Sequence, residues 1–218
     1  MARRAASEVS GTAPKLLPEH FTRRDDADDA EFYAQERLVH HLDQTARDAL
    51  TAYYRNVLPA DGRVLDLMSS WVSHLPEDHV FADITGLGMN EAELAANPQL
   101  TRYRVHNLNA DPVLPLPDAS FDACLIALSV QYLTRPLDVF ADISRVLRPG
   151  GQCVVSFSNR CFPTKAVSIW TALDDPGHIG LVATYFRQTN GFDEPSYANL
   201  SDPDGRTDPI YVVSAHAL

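Results

Sequence analysis

The sequence predicts an α/β fold: a doubly wound, mostly parallel sheet with helices on both faces. Three observations predict it. Short apolar runs alternate with segments of helical period. The runs are near-continuous rather than alternating, as in strands covered on both faces. And 218 residues suit one domain and are too few for two full enzyme domains.

The elements follow in chain order. Residues 1–18 are small and polar without a period and read as a disordered tail. Five acids fall within residues 25–31 and read as a solvated helix start, where carboxylates favour the macrodipole. Over residues 31–57, Phe32, Leu38, Leu42, Ala46, Leu50 and Tyr53 recur at near-helical spacing, which predicts two helices with a break near Asp43. Residues 59–62 (PADG) punctuate. Strands are expected at 63–67 (RVLDL), 79–86 (HVFADITG), 102–107, 121–129 (FDACLIALS) and 152–158. Helices are expected at 91–96, at 136–147 with Pro136 placed for the first turn, at 163–173 and at 180–189. Residues 197–200 and 210–216 read as a closing antiparallel pair. Three units result: the tail 1–18, an N-terminal helical cap 19–62, and an α/β domain 63–218.

Composition narrows the function classes. A hydrophobic fraction of 45% is that of a globular protein. Lys plus Arg is 18 against 29 for Asp plus Glu, a net charge of −11. An acidic chain without a basic stripe is a poor grip for a nucleic-acid backbone. No run of 18 apolar residues is present, so no membrane span is expected. Met1-Ala2-Arg3-Arg4 leads into no apolar stretch, so no signal peptide is expected. Cys124, Cys153 and Cys161 match no zinc spacing; an odd cysteine count fits a reducing, cytoplasmic setting. No metal is expected, since His40, His41 and Asp43 would diverge on a helix. No Gly-x-Ser-x-Gly elbow surrounds Ser156 or Ser158, and Gly86-Leu87-Gly88 lacks the third glycine of a dinucleotide turn.

Two motifs carry a family likeness. Residues 114–122 (LPLPDASFD) followed by 145–151 (RVLRPGG) resemble the turns into strands four and five of class I S-adenosylmethionine-dependent methyltransferases, type 11 group. The resemblance covers about residues 64–157. It implies a seven-stranded sheet of order 3-2-1-4-5-7-6, S-adenosylmethionine as cofactor, and methyl transfer to a small molecule. It also implies where the cofactor sits. The loop after strand one (Asp66 to Val72) corresponds to the family's glycine loop, but Met68, Ser70 and Val72 stand at its three glycine positions. Gly88, followed by Met89 and Asn90, stands where the ribose-binding acid is usual. Asn107, beside Leu108, stands at the acid near the adenine amino group. Losing the ribose carboxylate removes charge-assisted bonds of roughly 1.5–3 kcal/mol each, one to two decades in affinity.

Two readings follow. In one, Asp66, Met68, Ser69, Ser70, Met89, Asn90, Asn107, Leu108 and Ser129 still form a cofactor site, with serine hydroxyls replacing some backbone bonds and Asn107 accepting through its carbonyl. In the other, the fold is a non-methylating small-molecule-binding or regulatory protein. The polar clusters at the strand ends favour the first. His74 is a candidate general base, and Gln131 and Tyr132 fall where the family faces methyl donor and substrate. Tyr33, Arg37 and His41, spaced by four, share a helix face and form a substrate lid with Trp71. Asn159 and Arg160 would hold an anionic group. Lys165 reads as an exposed helix residue and Cys161 as a thiol without visible activation.

Overall fold

The structure, a computed structural model, describes Ser7, Glu8 and residues 15–218. Most of the expected tail lies outside the described residues. Eight strands form one sheet: β1 (Ser7–Glu8), β2 (Arg63–Leu67), β3 (Asp83–Gly88), β4 (Arg102–Val105), β5 (Phe121–Ala127), β6 (Leu147–Phe157), β7 (Ser196–Asn199) and β8 (Tyr211–His216). Their spatial order is β1-β7-β8-β6-β5-β2-β3-β4. Counted from the strand at Arg63, this is 3-2-1-4-5-7-6, with β1 added on the outer edge. β2 to β6 are parallel, and β8 runs antiparallel between β6 and β7.

Strict alternation along the central strands explains their continuous apolar character. Leu65, Leu67, Cys124, Ile126, Cys153 and Val155 face one core. Val64, Ala123, Leu125, Val154 and Val212 face the other. A strand with both faces buried has no polar side to show. The first core is closed by α4 (Pro136–Val146), α5 (Ser168–Ala172) and α6 (Asp175–Thr189). The second is closed by α2 (Gln44–Val57), through Ala46, Leu50 and Tyr54. α3 (Glu91–Ala96) follows β3. The edge strand β4 is exposed along all four residues.

The N-terminal segment departs from expectation. α1 (Asp29–Phe32) is a single turn, and residues 33–43 form no helix. Asp43 starts α2, accepting from the Ala46 N–H at 2.9 Å, so the helix begins at its cap. Leu38, expected on the buried face, is 50% exposed. The stretch is held by tertiary bonds instead. Asn90 Nδ2 donates to the carbonyls of Tyr33 and Ala34, and Trp71 Nε1 donates to that of Val39. Residues 15–43 thus form a strap over the sheet's carboxyl edge.

Other boundaries move. β3 begins at Asp83, not His79, because β2 starts at Arg63 and pairs it with Asp83. β6 extends back through the RPGG turn, where Gly150 takes φ +79°, open to glycine without strain. Of the helix expected over 163–173 only α5 forms. And no helix stands between β2 and β3: residues 68–82 make the whole parallel crossover.

Lys165 is fully buried, not exposed. Its Nζ donates to the Ala27 carbonyl at 2.7 Å and lies 3.3 Å from both Asp25 and Asp29. Arg23 reaches the same Asp29 carboxylate at 2.7 Å. The acid run read as solvated therefore supplies counter-ions to a buried lysine and latches the strap. Removing one partner of a buried ion pair leaves an uncompensated charge, destabilising by about 3–5 kcal/mol. Urea denaturation of Lys165→Met should show a loss of about that size. Arg55→Gln, which breaks an exposed pair with Asp78, should lose less than about 1 kcal/mol. Equal losses in the two variants would refute the latch.

Candidate functional site

A pocket of about 290 Å³ opens at the carboxyl ends of β2, β3 and β5, under the strap. Ligand sites of doubly wound sheets lie at this edge. Asp66, at the end of β2, is 2% exposed and accepts from Ser69 Oγ and Ser73 Oγ, both at 2.6 Å. Burial pushes its carboxyl up to about 6, against the pull of the two serine hydroxyls. Met68 takes φ +58° at the first position where a glycine was expected. Ser69 N donates to the Leu87 carbonyl at 2.7 Å, so the loop crosses directly over β3.

That crossing explains the absent ribose acid. A Cβ on Gly88 would lie 2.2 Å from the Ser69 carbonyl oxygen. No side chain fits, so the position is closed to a carboxylate as the loop now runs. Glu93, on the first turn of α3, brings an acid into the same pocket. Its Oε2 accepts from Ser70 Oγ at 2.6 Å and its Oε1 from the Arg37 backbone N–H at 2.7 Å.

On the far side, Asn107 and Leu108 line the pocket with Met89. Asn107 Oδ1 accepts from the Asn109 and Ala110 N–H groups, so its amide nitrogen, not the expected carbonyl, is left for a ligand. Asn90 lines the pocket, but its side chain caps α3 and holds the strap. Ser129 Oγ is buried with no partner among the described residues.

The expected catalytic residues separate. Val130–Tyr132 is a single 3₁₀ turn, in which i and i+3 eclipse. Ser129 and Tyr132 therefore both face the pocket, while Gln131 turns inward, 1% exposed, and donates to the Leu128 carbonyl. Gln131 does not line the site. The Tyr132 hydroxyl accepts from the Phe162 N–H at 2.8 Å, and burial pushes its pKa up to about 12. His74 lines the pocket at φ +56°; burial first, then Arg47, lowers its pKa to about 4. It is neutral at pH 7.

Tyr33, Arg37, His41 and Trp71 all line the pocket, although no helix aligns the first three. Past β6, extended alternation continues: Ser158 and Arg160 line the pocket, and Asn159 points to solvent and does not. Burial raises the Cys161 thiol, the opposite of activation. Asp29, Glu93, Asn109 and Phe162 are pocket residues the sequence reading passed over. Among the described residues no cluster of three metal-ligating side chains occurs.

Two predictions follow from the loop. Gly88→Asp, which restores the usual acid, should destabilise by about 1–3 kcal/mol or more through overpacking against Ser69, read by thermal unfolding; an unchanged midpoint would contradict the crossing. Asp66 gives a pH effect. Its folded value of about 6 exceeds the unfolded 3.8, so its stabilising contribution is complete below about pH 4 and lost as pH rises through 6. Asp66→Asn does not titrate. It should therefore gain on the order of 2–3 kcal/mol relative to the parent between pH 4 and 7, measured by denaturation at each pH.

The similarities to known proteins agree with this geometry. Residues 67–155 match the family model described as "Methyltransferase domain". A malonyl-[acyl-carrier protein] O-methyltransferase from Marinomonas sp. (strain MWYL1) is 28% identical over 119 residues, 54% of this chain and 42% of that protein. The ubiquinone/menaquinone biosynthesis C-methyltransferase UbiE of Dinoroseobacter shibae is 30% identical over 103 residues, covering 46% and 41%. The chain spans about half or less of the length of these curated relatives. Among solved structures, a putative methyltransferase from Haloferax volcanii, in complex with the Trm112 activator, superposes with a TM-score of 0.60 at 15% identity, over 79% of this chain and 90% of that one. A possible histamine N-methyltransferase from Thermotoga maritima gives 0.58 at 16% identity, over 80% and 91%; at these identities the likeness is one of fold. Strand order, the two turn motifs and the matched segment agree: residues 67–155 are similar to the methyltransferase domain family.

Proposed function

We propose that this chain catalyses S-adenosylmethionine-dependent methyl transfer to a small-molecule acceptor. The observation that carries this reading is the pocket at the carboxyl edge of β2, β3 and β5, lined by the residues at the family's cofactor positions. The residues present fit the cofactor. Ser129 Oγ is a buried polar atom awaiting a partner. Leu87, Met89 and Leu108 are apolar walls beside the Asn107 amide, and Glu93 brings the acid that Gly88 does not. Asp66, Met68, Ser69 and Ser70 would hold the amino-acid end; Glu93, Met89, Asn107 and Leu108 would hold the adenosyl end. When bound, S-adenosylmethionine supplies an electrophilic sulfonium methyl group.

The chain's own residues would position and desolvate the acceptor. The strap covers the pocket and excludes water. Neutral His74 accepts a hydrogen bond or a proton from the acceptor. Tyr132, whose hydroxyl stays protonated and already accepts from Phe162, donates its hydrogen. The net charge of −11 supports a small-molecule partner over a nucleic acid. No helix among the described residues is long and apolar enough to cross a membrane, and the odd cysteine count supports a cytoplasmic setting. One observation favours the second reading, a binding protein without methyl transfer: the crossover from β2 lacks the helix whose N-terminus would offer free amides.

Isothermal titration with S-adenosylmethionine and S-adenosylhomocysteine separates them. Binding tighter than about 1 mM is expected. Ser70→Val, which deprives Glu93 of a donor, should weaken it by about tenfold. Failure of both ligands to bind would leave only the binding-protein reading.

A further inference from the structure

Three carboxylates line the pocket, and each is engaged within the protein. Asp29 lies against Arg23, Lys165 and Asn109. Asp66 takes two serine hydroxyls. Glu93 uses one oxygen on Ser70 and the other on the Arg37 backbone. The Arg37 guanidinium is different. It is half-buried in the pocket wall, 4.7 Å from the Phe32 ring centroid and 5.6 Å from that of Phe162. Its Nη1 donates to the Gln35 carbonyl and its Nη2 to that of Phe32. A guanidinium has five N–H donors, so three remain. Among the described residues it pairs with no carboxylate.

A partly desolvated cation with oriented donors and no counter-ion is matched by a ligand that carries one. Two further basic groups stand nearby. Arg160, 61% exposed, is held 3.4 Å from Asp208, and the His41 ring lies 5.7 Å from that of Phe162. Burial, Arg160 and Arg37 lower the His41 pKa while Glu93 raises it. Beside these groups the wall is aromatic: Tyr132 stacks on Phe162 at 5.9 Å and 29°, and Tyr33 lines the same pocket.

We propose that the acceptor is a small aromatic carboxylic acid. Its carboxylate is bound by the free edge of Arg37, with Arg160 at the mouth, and its ring lies against Tyr33, Tyr132 and Phe162. The inference rests on reading this half of the pocket as the acceptor site. Arg37 is then the residue that selects for charge, and the aromatic wall selects for shape.

The test titrates the whole chain near neutral pH with trans-cinnamate, trans-cinnamamide and trans-cinnamylamine, each with and without S-adenosylhomocysteine. The acid should bind at least about tenfold tighter than the amide, the amine most weakly, and added salt should reduce the preference. Arg37→Gln should abolish the preference. Because Arg37 also holds two strap carbonyls, Arg37→Lys and Arg160→Gln are measured beside it; both should reduce the preference without abolishing it. Equal affinity for acid and amide, or binding of all three weaker than about 1 mM, overturns the proposal. S-adenosylhomocysteine binding without an acid preference overturns it while leaving methyl transfer standing. An acid preference in a chain that binds no S-adenosylhomocysteine supports the acid site and overturns methyl transfer.

Discussion

The buried carboxylate of Asp66 sets the course of the chain over the sheet edge. A glycine loop normally follows this strand and gives its backbone amides to a ligand. Here Ser69 and Ser73 turn their hydroxyls back onto Asp66, and the loop is held by side chains instead. Everything nearby inherits that path. Met68 enters the left-handed region, the Ser69 amide meets the Leu87 carbonyl, and the Ser69 oxygen sits over Gly88. Asn97 then ties the Ser70 carbonyl to the Ser73 hydroxyl. The crossover is held by side-chain hydrogen bonds without being helical.

From this loop a second set of bonds reaches the strap. Ser70 donates to Glu93, Glu93 takes the Arg37 amide, and Asn90 takes the carbonyls of Tyr33 and Ala34. At the strap's other end Lys165 and Arg23 converge on Asp29, whose second oxygen accepts from Asn109. The strap is thus fastened at two ends by different physics: a neutral-and-anionic hydrogen-bond chain beside the cofactor positions, and a desolvated ion cluster beside the acceptor wall. Because the low-dielectric cluster tolerates no missing partner, the strap docks as a unit. It carries Tyr33, Arg37 and His41 into place despite having no helix of its own over those residues.

What was legible in the sequence follows from which forces are local. Leu65, Cys124 and Val154 sit in runs whose both-faces burial writes itself into composition, so the central strands were readable, while their order came only from the family likeness of the two turn motifs. Pro136 announced a helix start because first-turn signals are local, and the break read near Asp43 is where Asp43 caps α2. The strap was not readable: Phe32, Leu38 and Leu42 imitate a helical period, while the bonds that override it come from Asn90, Glu93 and Trp71, far away in sequence. Lys165 and Asp29 looked like surface charges because the partners that meet them in the fold lie far away in sequence. Gln131 was placed in the site by family position, and Asn159 by its membership of the polar cluster after the fifth expected strand. The rotation of a 3₁₀ turn and the alternation past β6 carry them out of it.

Strain gives a separate reason to treat the pocket as built rather than eroded. Six non-glycine residues among those described adopt positive φ, and three of them, Met68, His74 and Leu128, line the pocket. The other three are Asp61, Ala119 and Asn190; two of these are residue types that tolerate the left-handed region. For Met, His and Leu the conformation is unfavourable by about 1–2 kcal/mol each. The strained positions follow the ends of β2 and β5 and lie at His74 within the 68–82 crossover, three points from which side chains reach the same cavity. Strain at one cavity, held by buried hydrogen bonds around Asp66, is the physical pattern in which surrounding structure over-determines side-chain placement against backbone preference.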